Sequence, residues 1–153
     1  MNTKEAFLWI IGILEKHKVV YRISGGMAAR AYGSNRPLAD IDIEIRDKYF
    51  KKILPDIRKY LFFIGKYRDK HFKTYGAGMK YKGQIIELSG ADTEILYDSR
   101  KKKWIKSNND LTKTTKKEIY GKTVKVIRKK DLIEYKEKLN REVDKKDLKV
   151  LYS

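Results

Sequence analysis

Two aspartates one residue apart, Asp40 and Asp42, have the spacing most suggestive of chemistry in this chain of 153 residues. They alternate with Ile41 and Ile43, and successive side chains of a β-strand point to opposite faces. The pattern therefore predicts a strand that carries both carboxylates on one face and buries the isoleucines on the other. A carboxylate pair on such a rigid platform is suited to hold a divalent cation.

A glycine pair precedes the two acids. Ser24, Gly25 and Gly26 follow the β-branched and aromatic run 19–23, which predicts a strand, and precede a short helix predicted over 27–32. Glycine lets the backbone approach a ligand closely, and the amides at a helix start attract phosphate. Phosphate at the glycine turn and metal at the acids together indicate a site for a metal–nucleoside triphosphate.

This order of motifs resembles the signature of the nucleotidyltransferase superfamily. The matching residues are Gly25-Gly26, then Asp40-Ile41-Asp42-Ile43. The order of elements is similar to that of small single-domain members, including lincosamide and aminoglycoside nucleotidyltransferases. The resemblance implies an α+β fold with a mixed β-sheet flanked by helices and a hairpin and helices towards the C-terminus. It also implies transfer of a nucleoside monophosphate to a hydroxyl acceptor by a two-metal mechanism with Mg²⁺ as cofactor, releasing pyrophosphate.

The resembled family usually has a third carboxylate in its site, on a strand beside the Asp-x-Asp strand. Glu87 is the best match, because it is the one acid in the strongly β-forming run 84–89. An acid in an apolar strand is costly if it is buried without a partner, and a metal or an arginine would explain it. We therefore expect Asp40, Asp42 and Glu87 to be the catalytic and metal-binding residues, with Asp92 as the reserve candidate. Glutamate is a departure from the aspartate that is frequent in the family.

Two cations are candidates for binding phosphate together with Ser24, Gly25 and Gly26. Arg36 lies in the predicted loop 33–37, where the family often has a basic residue, although a solvated loop arginine is the alternative. Lys136 lies on the first of two helices predicted at the C-terminal end, 129–139 and 142–151. For Lys136 the alternative is a salt-bridged pair of helices.

Glu44 shares the strand face of Asp42 one step further on, about 6–7 Å away. We expect it to be a surface acid at the strand end. The remaining pattern predicts helices over 3–17 and 47–61, strands with tight turns over 61–89, a basic loop with Trp104 over 100–104, and a hairpin over 117–127.

The charge of the chain is strongly positive. It has 37 Lys and Arg against 20 Asp and Glu, a net charge of +17, and residues 100–153 hold 19 of these bases and 8 of these acids. Such an excess indicates a polyanionic partner such as nucleic acid, or triphosphate attraction. The alternative is a lysine-rich composition on solvated faces.

Composition also excludes several classes of site. There is no cysteine, so disulfides and thiolate metal sites are excluded, and two histidines far apart disfavour a histidine-rich zinc site. No apolar run reaches membrane-spanning length, so we expect a cytoplasmic protein without a membrane partner.

The sequence thus predicts one nucleotidyltransferase-like domain over 1–153, with a core at about 1–98 and a basic extension at about 99–153. Its expected function is Mg²⁺-dependent nucleotidyl transfer from a nucleoside triphosphate to a hydroxyl on a small molecule, a protein or an RNA. Two alternatives remain open: an inactive nucleic-acid-binding module of the same fold, and a component of a toxin–antitoxin pair.

Overall fold

The computed structural model describes residues 2–107 and 109–153, and these residues form five α-helices and nine β-strands. In chain order they are α1 (Thr3–Lys16), β1 (Tyr21–Ser24), α2 (Gly25–Ala31), β2 (Asp40–Ile45), α3 (Phe50–Ile57), β3 (Leu61–Arg68), β4 (Phe72–Tyr81), β5 (Gln84–Gly90), β6 (Ile95–Asp98), β7 (Lys103–Lys106), β8 (Thr114–Ile119), β9 (Lys122–Ile127), α4 (Lys129–Leu139) and α5 (Glu142–Leu151).

The strands form one mixed sheet in the order β7-β6-β4-β5-β2-β1-β9-β8, and β3 pairs with β4. The pairs β2/β5 and β1/β9 are parallel, and the other neighbours are antiparallel. The hairpin β8-β9 and the helices α4 and α5 complete the C-terminal end. This architecture confirms the predicted α+β fold, including the mixed sheet, the C-terminal hairpin and the two closing helices.

The hydrophobic core lies against the isoleucine face of the central strands. Ile41, Ile43 and Ile45 of β2 are fully buried, as is Ile23 of β1. Burying each such side chain contributes about 1.5–3 kcal/mol. Helix α1 covers this face with a stripe of fully buried residues at helical spacing: Phe7, Ile10, Ile11 and Leu14. Because the isoleucines are anchored on this side, the alternate residues of β2 must point to the opposite side of the sheet.

Two elements differ from their predictions. The helix expected over 47–61 is shorter, because 3-10 turns at 47–49 and 58–60 flank α3. Part of the expected basic loop is strand β7, in which Trp104 pairs with Tyr97 of β6 and lies under the ammonium of Lys73, 4.2 Å from its ring centroid. Within the described residues, every helix is too short or too polar to span a bilayer.

Candidate active site

Strand register places three acids side by side on the face of the sheet opposite the α1 core. The antiparallel pair β1/β2 sets Ser24 opposite Asp42, and the parallel pair β2/β5 sets Asp42 opposite Glu87. Residues directly opposite each other on neighbouring strands share a face, and Asp40 shares it by the two-residue period. Each of Asp40, Asp42 and Glu87 offers a carboxylate oxygen, and these oxygens lie within 4.8 Å of one another. The structure therefore brings together the three acids predicted from the sequence.

The three carboxylates repel one another. Burial, followed by the charges of Asp40 and Glu87, raises the pKa of Asp42 well above its usual range. Burial, followed by the charges of Asp40 and Asp69, raises the pKa of Glu87. A bound cation would relieve this repulsion, and an all-carboxylate set of oxygens suits hard divalent cations such as Mg²⁺. The donor set therefore fits the metal that the sequence implied.

The glycine pair lies directly against the acids, at the junction of β1 and α2. Gly25 has φ +61°, a conformation that other residues rarely adopt, and a Cβ there would lie 3.0 Å from Cβ and Cγ of Asp42 and closer still to its Oδ2. A Cβ at Gly26 would lie 2.8 Å from Nη2 of Arg36 and 2.9 Å from Leu38. Gly25 therefore requires glycine, whereas a side chain at Gly26 would have to displace the ends of Arg36 and Leu38.

A chain of ion pairs links the loop after α2 to the two C-terminal helices. Arg36 binds Asp147 through Nε (2.9 Å) and Nη2 (2.8 Å), and Lys136 contacts Asp147 at 2.9 Å and Asp144 at 3.2 Å. Arg141 binds Asp144 through Nε (2.8 Å) and Nη2 (3.2 Å). The two aspartates are fully buried, so this network fixes three cations along one wall.

These partners determine the ionisation of the two aspartates. Burial by itself would raise the pKa of Asp144, but the hydrogen bonds and charge of Arg141 and the charge of Lys136 hold it below its usual range. Burial would likewise raise the pKa of Asp147, and the hydrogen bonds from Arg36 and Lys136 lower it. Both aspartates are therefore ionised at neutral pH.

A cavity of about 600 Å³ lies between the acidic face of the sheet and these helices. The acids, Gly25 and Gly26 line it on one side, and Arg36, Lys136 and Arg141 line it on another. A third side is aromatic and consists of Phe62, Phe63, Tyr67 and Phe72 from β3 and β4. The predicted site residues thus share one accessible volume that is large enough for small-molecule ligands.

No family model and no curated protein matches the sequence. Solved structures do match its fold. The lincosamide antibiotic adenylyltransferase LnuA, lincomycin-bound, is 18% identical with a TM-score of 0.65, and the match covers 100% of this chain and 98% of that one. The chain has the nucleotidyltransferase fold. ANT(2'')-Ia in complex with adenylyl-2''-tobramycin (10% identity, TM-score 0.65, 99% of this chain and 88% of that one) also matches. So does a Thermotoga maritima protein assigned as a nucleotidyltransferase (17% identity, TM-score 0.63, 83% and 80%).

On this nucleotidyltransferase fold, the other sequence candidates have different surroundings. Arg36 lines the cavity beside Gly26, which is compatible with the predicted phosphate contact. That contact stays a prediction. Lys136 also lines the cavity but is 1% exposed and held by two aspartates, which favours the alternative of a salt-bridged helix pair. Asp92, the reserve acid, accepts hydrogen bonds from Arg46 (3.0 Å) and from the amide of Asp47 (2.9 Å), and it does not line the cavity.

The prediction that Glu44 is a surface acid is wrong. Glu44 is 3% exposed and accepts a hydrogen bond of 2.6 Å from Nε of Arg22 on the neighbouring strand. The same register that pairs Ser24 with Asp42 also pairs Arg22 with Glu44. An opposite charge directly across the strand pair is what allows the acid to be buried.

Several cavity residues were not named individually from the sequence. The resemblance of the closing helices indicated a set of Arg and Asp residues near the cleft, but it did not single out Arg141, which lines the cavity, or Asp144, which holds it. A signal was present, since Asp144 and Asp147 share the helical spacing of the buried residues Leu148 and Leu151. The aromatic side of the cavity and Glu94, which lies just before β6, carried none that distinguishes them from ordinary strand and turn residues.

Proposed function

We propose that this protein is a divalent-metal-dependent nucleotidyltransferase, which transfers a nucleoside monophosphate from a nucleoside triphosphate to a hydroxyl group and releases pyrophosphate. The observation that carries the proposal is the convergence of three repelling carboxylates beside the glycine turn in one cavity. The fold supports it, because lincomycin and adenylyl-2''-tobramycin are bound in solved structures of the same fold. Those two ligands favour a small-molecule acceptor.

Asp40, Asp42 and Glu87 are the residues that would hold Mg²⁺. When bound, the metal supplies charge stabilisation for the attacking and leaving oxygens of an in-line displacement at phosphorus. The repulsion among the three carboxylates supports this assignment, because it leaves the site short of positive charge.

The glycine turn and Arg36 form the proposed triphosphate end of the cavity. Ser24, Gly25 and Gly26 allow phosphate oxygens to approach the backbone, and the guanidinium of Arg36 neutralises part of their charge. Asp147 holds that guanidinium through two hydrogen bonds, so its orientation is set before the nucleotide binds. Lys136 holds Asp147 in place and thereby positions Arg36.

Glu87 is the proposed base that accepts the proton of the acceptor hydroxyl. It is the most exposed of the three acids and faces the side of the cavity away from the glycine turn. Its raised pKa brings it closer to the range in which a carboxylate removes a proton efficiently. The acceptor therefore enters from the side of β4 and β3.

The function is tested by titrating each of the four nucleoside triphosphates with and without Mg²⁺. We expect Mg²⁺-dependent binding of at least one triphosphate by calorimetry, and slow Mg²⁺-dependent pyrophosphate release with water as acceptor. Glu87→Gln is expected to lower that release about 10²–10⁴-fold, because the proton acceptor is lost, while the far-ultraviolet circular dichroism stays unchanged. Triphosphate binding that is indifferent to Mg²⁺, or full activity of Glu87→Gln, would contradict the proposal.

Gly25→Ala is expected to weaken Mg²⁺–triphosphate binding by about tenfold or more, because the new methyl group displaces the Asp42 carboxylate from its place beside the turn. Its stability should also fall by roughly 1 kcal/mol, since alanine is strained at positive φ. Calorimetry and thermal unfolding measure the two effects separately.

Gly121→Ala is the matched control for this variant. Gly121 has φ +79°, and nothing lies within 4 Å of a Cβ placed there. It should show the backbone strain without the loss of triphosphate binding. Equal binding losses in the two variants would show that strain alone, and not contact with Asp42, accounts for the effect.

A further inference from the structure

The cavity continues past Glu87 to a second row of residues on the same sheet face. In this row Arg22, Glu44, Ser89 and Gly76 are opposite one another on four neighbouring strands. Glu94 lines this end of the cavity together with Glu44. Glu94 is 4% exposed, so it is a buried acid that still borders the cavity.

Two buried acids, Glu44 and Glu94, lie at this end, and the arginine beside them, Arg22, is paired with Glu44. Arg22 donates a hydrogen bond through Nε to Glu44. Its Nη1 and Nη2 donate to the carbonyl of Asp110 (3.1 Å) and to Oδ1 of Asn109 (3.4 Å). Among the described residues, Glu94 forms no ion pair, and its side-chain hydrogen-bond donors are neutral: the hydroxyl of Ser107 at 3.0 Å and the amide of Asn109. Its burial and the charge of Glu44 raise the pKa of Glu94 to about 7. Glu94 is therefore short of a cationic partner.

The cations that line the cavity are each held by a carboxylate. Arg36, Lys136 and Arg141 each contact a carboxylate of α5, and Arg141 also lies 5.7 Å from the ring centroid of Phe72. The described lining contains these three cations and five acids: Asp40, Asp42, Glu44, Glu87 and Glu94. In a chain with a net charge of +17, the interior of this cavity is thus locally acidic.

The side of the cavity between Glu87 and β3 is open and aromatic. Gly78 is opposite Glu87, and the ring of Phe62 lies so close over Gly78 that a Cβ there would be 2.7 Å from it. Phe62 is 62% exposed and Tyr67 is 44% exposed, so apolar ring surface faces the mouth. Such surface suits an apolar body, and aromatic faces also attract cations.

We propose that the acceptor is a small molecule with a protonated amine, and that Glu94 is the residue that selects it. The ammonium binds the Glu94 carboxylate, the apolar part of the molecule lies on the β3 aromatic rings, and its hydroxyl reaches Glu87. This inference rests on the proposed function, because it assumes that the triphosphate lies at the glycine turn. The phosphates of a nucleic-acid acceptor would instead meet a surplus of carboxylates.

Three matched probes test the inference: 2-amino-1-phenylethanol, its neutral N-acetyl derivative, and the anion mandelate. Each is titrated calorimetrically into the full chain in the presence of Mg²⁺ and α,β-methylene-ATP, which cannot transfer its nucleotide. We expect the amine to bind about tenfold or more tightly than either of the others, because it alone forms a charge-assisted hydrogen bond with Glu94. Glu94→Gln should remove this preference and leave the affinity for Mg²⁺–α,β-methylene-ATP unchanged.

Glu134→Gln is the control, because Glu134 is an acid of α4 whose side chain is 60% exposed and which does not line the cavity. It should retain the preference for the amine. Equal binding of the three probes, binding of none of them, or tighter binding of a single-stranded oligonucleotide than of the amine would each overturn the inference. If Mg²⁺-dependent nucleotide binding persists in the same titrations, the inference about the amine has failed while the proposed function still stands.

Discussion

Lys136→Met is expected to be about 3–5 kcal/mol less stable than the wild-type protein. The side chain of Lys136 is 1% exposed, and its ammonium contacts Asp144 and Asp147, which are both fully buried. Methionine fills a similar volume, and each carboxylate keeps one arginine, Arg36 on Asp147 and Arg141 on Asp144. The cost is the loss of two buried hydrogen bonds between charged groups, each contributing about 1.5–3 kcal/mol.

Urea unfolding followed by circular dichroism measures this loss of stability. Lys138→Met is the control on the same helix: Lys138 pairs with Glu134, whose side chain is 60% exposed, and an exposed pair contributes about 0–1 kcal/mol. A similar, small loss in both variants would mean that Lys136 is not essential to the network. Lys136 would then be free for the phosphate contact that the sequence first suggested.

The acidic site could be predicted from the sequence because each of its parts has a short-range pattern. Asp40 and Asp42 alternate with isoleucines, so their common face follows from the two-residue period of a strand. Glu87 is the one acid among the apolar residues of its strand. That its strand lies beside the Asp-x-Asp strand came from the resemblance and not from any local pattern. The parallel register that sets it opposite Asp42 was not predicted, because pairing between distant strands depends on the whole sheet.

The ion pairs could not be predicted in the same way, because each depends on a register or a helix packing that is not local. Arg22 and Glu44 are opposite each other only because β1 and β2 pair as they do. The distance of Glu44 from Asp42 along one strand carries no information about a partner on the next strand. Asp144 and Asp147 do share a stripe with Leu148 and Leu151, so acids on the apolar side of a helix were a usable signal.

The burial of Glu94 could not be predicted from the sequence. It lies in the turn 91–94 between β5 and β6, without periodic neighbours, and its burial results from packing near Ser107 and Glu44. The excess of positive charge was equally uninformative about the cavity, because it describes the outer surface. The lining has the opposite balance of charge, and only the fold determines which residues line it.

Asp42→Asn is expected to lower Mg²⁺-dependent pyrophosphate release by about a thousandfold or more. The amide cannot replace the carboxylate as a ligand of equal charge, and losing several kcal/mol of transition-state charge stabilisation corresponds to a change of that size. In metal-free buffer the same variant should be more stable than the wild type at neutral pH. The pKa of Asp42 is raised well above its usual range by burial and by Asp40 and Glu87, so the folded state disfavours the ionised carboxylate.

The difference in stability between Asp42→Asn and the wild type depends on pH, and thermal unfolding without metal measures this dependence. A raised pKa contributes stability at a pH below the unfolded-state pKa of about 3.9, and this contribution is lost as the pH rises through the folded-state value. The advantage of Asp42→Asn should therefore grow from acidic to neutral pH and disappear when Mg²⁺ is added to the wild type. Asp92→Asn, which changes an acid outside the cavity, should show neither effect. If Asp42→Asn instead destabilised the metal-free protein at neutral pH and retained Mg²⁺ affinity, Asp42 would be a structural acid, and the metal would have to be bound elsewhere.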